Sequence, residues 1–72
     1  MTLHQLQTHV GGRIKMLREK KGLSQKELAN PFGSEKSYIC DVEAGRKNVT
    51  LETLLKIALV LQVEVSAFFV EE

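Results

Sequence analysis

Seventy-two residues with one cysteine and a net charge of +1 describe a single small domain. A chain this short buries a modest core, and lone Cys40 excludes an intrachain disulfide and fits a reducing compartment. Zinc spacing is absent from His4, His9 and Cys40, the start MTLHQLQTHV has no secretion-signal pattern, and the apolar run 54–65 is broken by Lys56, Gln62 and Glu64, short of the roughly 20 residues that span a bilayer.

The spacing predicts an all-α protein of five helices. The first runs from near Leu6 or Val10 to Lys21, with Val10, Ile14 and Leu17 on one face. Lys20 and Lys21 suit its C-terminal dipole and Gly22 its cap. His4 and His9 precede or open it, as surface side chains of a frayed end. The second helix begins at Ser24, whose spacing to Glu27 is a capping box. Pro31 disfavours helical geometry at Asn30 and ends this helix early. Phe32 is expected to plug the core, and Gly33 to make the turn. The third helix is expected to start with Ser34 as its cap, to bury Ile39 and Val42, and to stop at Gly45. Thr50 caps a fourth helix to about Leu61, with Leu51, Leu54, Leu55, Ala58 and Leu61 as its inner stripe and Val60 opposite. A fifth short helix runs from Ser66 through Phe68, Phe69 and Val70.

The second and third helices, with the turn between them, occupy about residues 24–45, the dimension of a helix-turn-helix that seats its second helix in a DNA major groove. Charge is distributed to match. Residues 13–47 carry nine Lys/Arg against five acids, and residues 48–72 carry one Lys against four Glu. A basic segment joined to an acidic one suits one DNA-facing side and another side facing elsewhere.

The sequence resembles the Cro/C1-type, or XRE, helix-turn-helix family. RIKMLREKKGLSQKELA at 13–29, Gly33, Ser37-Tyr38-Ile39, Glu43, Gly45 and TLETLLKIALVL at 50–61 carry the resemblance, in that order. The resemblance covers roughly Val10 to Phe69 and implies a compact five-helix, lambda-repressor-like bundle whose third helix reads base edges, with residues 1–72 as one domain. It also implies a bacterial or phage regulator, often a repressor, that binds palindromic double-stranded DNA as a homodimer. Restriction–modification controller proteins are a subgroup of similar length. Three residues depart from the family pattern: Pro31 in the second helix, Cys40 in the third, and Gln62 where a glycine commonly follows the fourth.

Within this frame Glu35, Lys36, Ser37 and Asp41 occupy the turns that meet base edges. Lys36 suits guanine O6 and N7, and Glu35 a cytosine amino group. Asp41 has a second reading, orienting Lys36. Gln25, which in the family contacts phosphate and buttresses the third helix, is assigned to the backbone. So are Tyr38 and the loop Arg46, Lys47 and Asn48. Arg18 and Glu43 resemble the family's structural ion pair. Cys40 is expected to be a packing residue.

Val60, Val63, Val65, Phe69 and Val70 exceed what one small core needs, and about 58–70 is the expected dimerisation region. No polar constellation of a catalytic pocket is visible. The expectation is a cytoplasmic regulator with no enzymatic activity, cofactor, metal, membrane partner or evident effector. The competing reading is a protein-interaction module, antitoxin-like, on the same scaffold.

Overall fold

Four α-helices and two 3-10 turns account for the fold, without a strand among the described residues, in a computed structural model that describes residues 1–70. Where five α-helices were expected, four form. α1 spans Leu3–Lys20. It starts earlier than expected because Thr2 and Gln5 form a capping box: the Gln5 N–H donates to Thr2 Oγ1 at 3.1 Å and the Thr2 N–H to Gln5 Oε1 at 2.8 Å. His9 therefore lies inside a helix, and its Nε2 is 2.9 Å from the Val70 carbonyl oxygen.

α2 spans Gln25–Ala29 and carries the expected Ser24–Glu27 box. Pro31 does end the α-helical pattern, yet Asn30 keeps helical angles (φ −55°, ψ −45°) and the chain tightens into a 3-10 turn over Asn30–Phe32. A proline in the first turn of such a segment lacks an N–H that would be orphaned anyway.

α3 spans Lys36–Glu43. Ser34 is not its cap. The Ser34 main-chain N–H closes the preceding turn on the Ala29 carbonyl at 3.1 Å, and the cap position falls to Glu35, whose side chain makes no capping bond.

α4 spans Leu51–Leu61, and the Thr53 N–H donates to Thr50 Oγ1 at 3.1 Å. Its buried face is Leu54, Ile57, Ala58 and Leu61, while Leu51 and Leu55 are exposed. Gln62 adopts the left-handed conformation (φ 59°) that a glycine takes freely. The expected last helix is a 3-10 turn, Val65–Phe68.

Ile14, Leu28, Ile39, Val42, Ile57, Leu61 and Phe68 are fully buried, so every α-helix and the final turn contribute to one core. Phe68 fills the centre that Phe32 was expected to plug; Phe32 is half-buried at the edge. α1 and α3 touch backbone to side. A β-carbon at Gly11 would collide with the Val42 carbonyl oxygen and lie 2.8 Å from that of Glu43. Arg13 Nε donates to the Ala67 carbonyl at 2.9 Å. With the His9 contact one turn earlier, α1 thus grips the final turn. No helix among the described residues is long and apolar enough to cross a membrane.

Candidate nucleic-acid interface

Glu43, at the end of α3, anchors the α1–α2–α3 corner. Arg18 on α1 donates from Nε to Glu43 Oε2 at 2.6 Å and from Nη2 to Oε1 at 3.1 Å. Such a planar two-bond pairing is the strong geometry for guanidinium and carboxylate. Both groups are buried. Arg18 Nη1 also donates to the Leu23 carbonyl at 2.6 Å, and Gln25 Nε2 to Glu43 Oε1 at 3.0 Å. Among the described residues no buried side-chain nitrogen or oxygen lacks a partner. The hydrogen bond that Arg18 donates to Glu43 raises the Arg18 pKa above its ordinary value, against the opposing effect of burial. The carboxylate thus fixes α1 and the first residue of α2, and through Arg18 the loop before α2 is held as well.

At the start of α3, Glu35, Lys36 and Ser37 are exposed and have no side-chain hydrogen bond among the described residues. They border an open hollow of about 470 Å³ with Ser34, Lys26 and Asn30. Lys26 and Asn30 were not singled out from the sequence, although they lie four residues apart and so fall on one face beside α3. Tyr38 is half-buried against the core. Gln25 is partly buried, and the Glu43 bond orients its amide.

Arg46, Lys47 and Asn48 follow α3 and are exposed. Asp41 does not reach toward Lys36; its Oδ1 accepts from Arg46 Nε at 3.1 Å and lies 3.0 Å from Nη2. Cys40 is a half-exposed free thiol.

The Glu27 carboxyl, at the start of α2, is held below the usual glutamate range, first by the Ser24 main-chain N–H and then by its hydroxyl.

Val60, Val63 and Val65, expected to face a partner, are half-buried against the protein's own core. Phe69 and Val70 are 44% and 46% exposed. The more prominent apolar surface is one that the sequence placed inside or did not mention: Leu51, Leu55 and Leu59 form an exposed row along α4 at 80%, 51% and 69%. Beside it is a groove of about 190 Å³ that includes Leu3, Leu6, Val10, Leu54 and Phe69. No group of three or more His, Cys, Asp or Glu among the described residues could hold a metal ion.

With this geometry in view, the comparisons with known proteins are consistent among themselves. The profile of a family described as helix-turn-helix matches residues 14–68. The immunity repressor protein of Bacillus phage phi105 is 41% identical over 63 residues, which cover 88% of this chain and 44% of the repressor. This chain therefore spans under half of that relative. Control protein C.MunI of a Mycoplasma species is 32% identical over 68 residues, covering 93% of this chain and 92% of the control protein. The crystal structure of the restriction-modification controller protein C.AhdI from Aeromonas hydrophila superposes with a TM-score of 0.89 at 38% identity, over 96% of this chain and 100% of that one. None of these three is named as an enzyme.

Proposed function

Because this chain belongs to the helix-turn-helix family, we propose that it is a cytoplasmic transcriptional regulator that binds DNA sequence-specifically, as a homodimer, on a palindromic operator. The observation that carries the proposal is the contrast within α3. Its first turn presents Glu35, Lys36 and Ser37 with no internal partner, while its last residue, Glu43, is fastened to α1 and α2. A reading helix needs both features, free polar groups toward the base edges and a scaffold that holds them in register.

Lys36 takes a guanine, Ser37 a base or phosphate, and Glu35 a cytosine amino group. Gln25, Tyr38, Arg46, Lys47 and Asn48 contact the phosphate backbone and set the register. Lys26 and Asn30 flank the same hollow and add to the backbone contacts. A second copy covers the apolar row. Leu55, Leu59, Phe69 and Val70 supply its exposed centre, with Val60, Val63 and Val65 behind them. A face with both a ridge and a groove suits an isologous two-fold contact. Controller proteins are matched over nine-tenths or more of their length. Control of a restriction–modification system therefore stands beside the phage-repressor role as a form this regulator can take.

Selection of bound sites from randomised duplex DNA tests the proposal, with the Lys36→Ala, Ser37→Ala double variant as a folded control. Recovery of a palindromic site by the protein, lost in the variant, is the expected result. Failure to enrich any sequence would reject specific binding and favour the protein-interaction reading. A sedimentation mass that stays monomeric into the high micromolar range would remove the homodimer.

A further inference from the structure

The main chain folds back on itself where α3 ends. The Gly45 N–H donates to the Val42 carbonyl at 3.1 Å and the Arg46 N–H to the Asp41 carbonyl at 2.9 Å, with Gly45 at φ +78°. These two bonds define a Schellman closure, in which the residue after the glycine lies over the residue five before it. That contact is commonly apolar. Here it is an ion pair, because the two residues are Arg46 and Asp41, and the carboxylate meets Nε and Nη2 of the guanidinium. The closure has little room to shift, since a β-carbon at Gly45 would sit 2.7 Å from Thr8 Oγ1 and 3.0 Å from Thr8 Cα.

We propose that Asp41 is a positioning residue that reads no base but holds Arg46 in its phosphate-contacting orientation. The inference rests on the DNA-binding reading above. An arginine on an exposed loop samples many rotamers and loses that freedom when it docks. Paired with Asp41 through Nε and Nη2, Arg46 has given up part of that freedom already, and its Nη1 remains outside the pair to meet a phosphate oxygen. With Oδ1 held by the guanidinium, Asp41 is turned to Arg46 rather than left free to seek a cytosine amino group.

The test is a double-mutant cycle with Asp41→Ala and Arg46→Ala, measuring affinity for the selected operator and for a scrambled duplex. Asp41→Ala should weaken operator binding about fivefold, the cost of ordering one flexible side chain at docking. It should weaken scrambled-duplex binding by a similar factor, because a phosphate contact does not depend on sequence, and should leave the selected consensus unchanged. In the Arg46→Ala background it should cause no further loss on the operator. Asp41→Asn, which keeps an acceptor oxygen, should fall between wild type and Asp41→Ala. Equal melting temperatures exclude a folding defect.

Additive losses, or a changed preference at one base pair, would overturn the proposal in favour of direct reading by Asp41. Tighter binding to operator and scrambled DNA alike would show that Asp41 withholds Arg46. A wild-type protein that enriches no site would instead overturn the DNA-binding reading, and this inference with it.

Discussion

The two ends of α3, a helix of eight residues, are built in opposite ways. At the C-terminal end, Glu43 accepts three side-chain hydrogen bonds from two other segments, Gly45 reverses the chain, and Gly11 lets α1 approach the carbonyls of Val42 and Glu43. At the N-terminal end, Glu35 offers no capping bond and Lys36 and Ser37 project from the surface. The start of α2 differs again, for there Ser24 and Glu27 cap each other in full. A side chain spent on capping is unavailable to a ligand. The bare start of α3 leaves its polar groups free, and the closed end keeps the helix in place without them.

The largest effect should come from cutting the closed end. Glu43→Ala leaves Arg18 charged and buried without its partner, a loss of roughly 3–5 kcal/mol and a large part of the stability of a domain this small. Urea unfolding measures it, and an unchanged midpoint would break the comparison. Gly11→Ala comes next. Helix propensity favours alanine by about 1 kcal/mol, but the added carbon meets backbone, so α1 and α3 must separate at a net cost of about 1–3 kcal/mol. A more stable Gly11→Ala protein would contradict the close approach.

At the open end the expectation reverses. Lys36→Ala should shift stability by no more than about 0.5 kcal/mol yet cost roughly 1–3 kcal/mol of operator binding, concentrated at one base pair. Paired thermal melts and binding isotherms would show whether the two quantities separate.

The smallest effect concerns the box of α2. The folded-state Glu27 carboxyl lies below its unfolded value, so its stabilising contribution is present above the ordinary carboxylate range and is lost as pH falls through the folded-state value. Glu27→Gln should flatten that part of the acid limb of the stability–pH curve. An unaltered limb would mean that the box contributes nothing measurable.

Features set by local rules were legible in the sequence. The Ser24–Glu27 box, the glycine turns and the Ile39–Val42 face follow from neighbours within a helical turn. The Thr2–Gln5 box obeys the same rule, and its spacing was there to be read. The phase of α4 was not legible. LLKIALVL is apolar almost all round, so periodicity permits either Leu51–Leu55 or Leu54–Ile57 inside, and packing against the other helices chooses the second. Phe68, in place of Phe32, fills the core for the same tertiary reason. Gly11 carries no sequence signal of close approach, because the atoms it avoids lie on a helix some thirty residues later. Of the site, the spacing placed Lys36 and Ser37 on an exposed first turn. The Asp41–Arg46 pair escaped notice because a five-residue separation brings side chains together only when the chain reverses between them.

The most direct test of the open and closed ends of α3 is a backbone amide chemical-shift map of the ¹⁵N-labelled protein titrated with the selected duplex. The account predicts the largest changes at Gln25, at Glu35–Tyr38 and at Arg46–Asn48, with the row Leu51, Leu55 and Leu59 unmoved beyond any change in dimer fraction. Changes centred on that row, with the start of α3 silent, would contradict it.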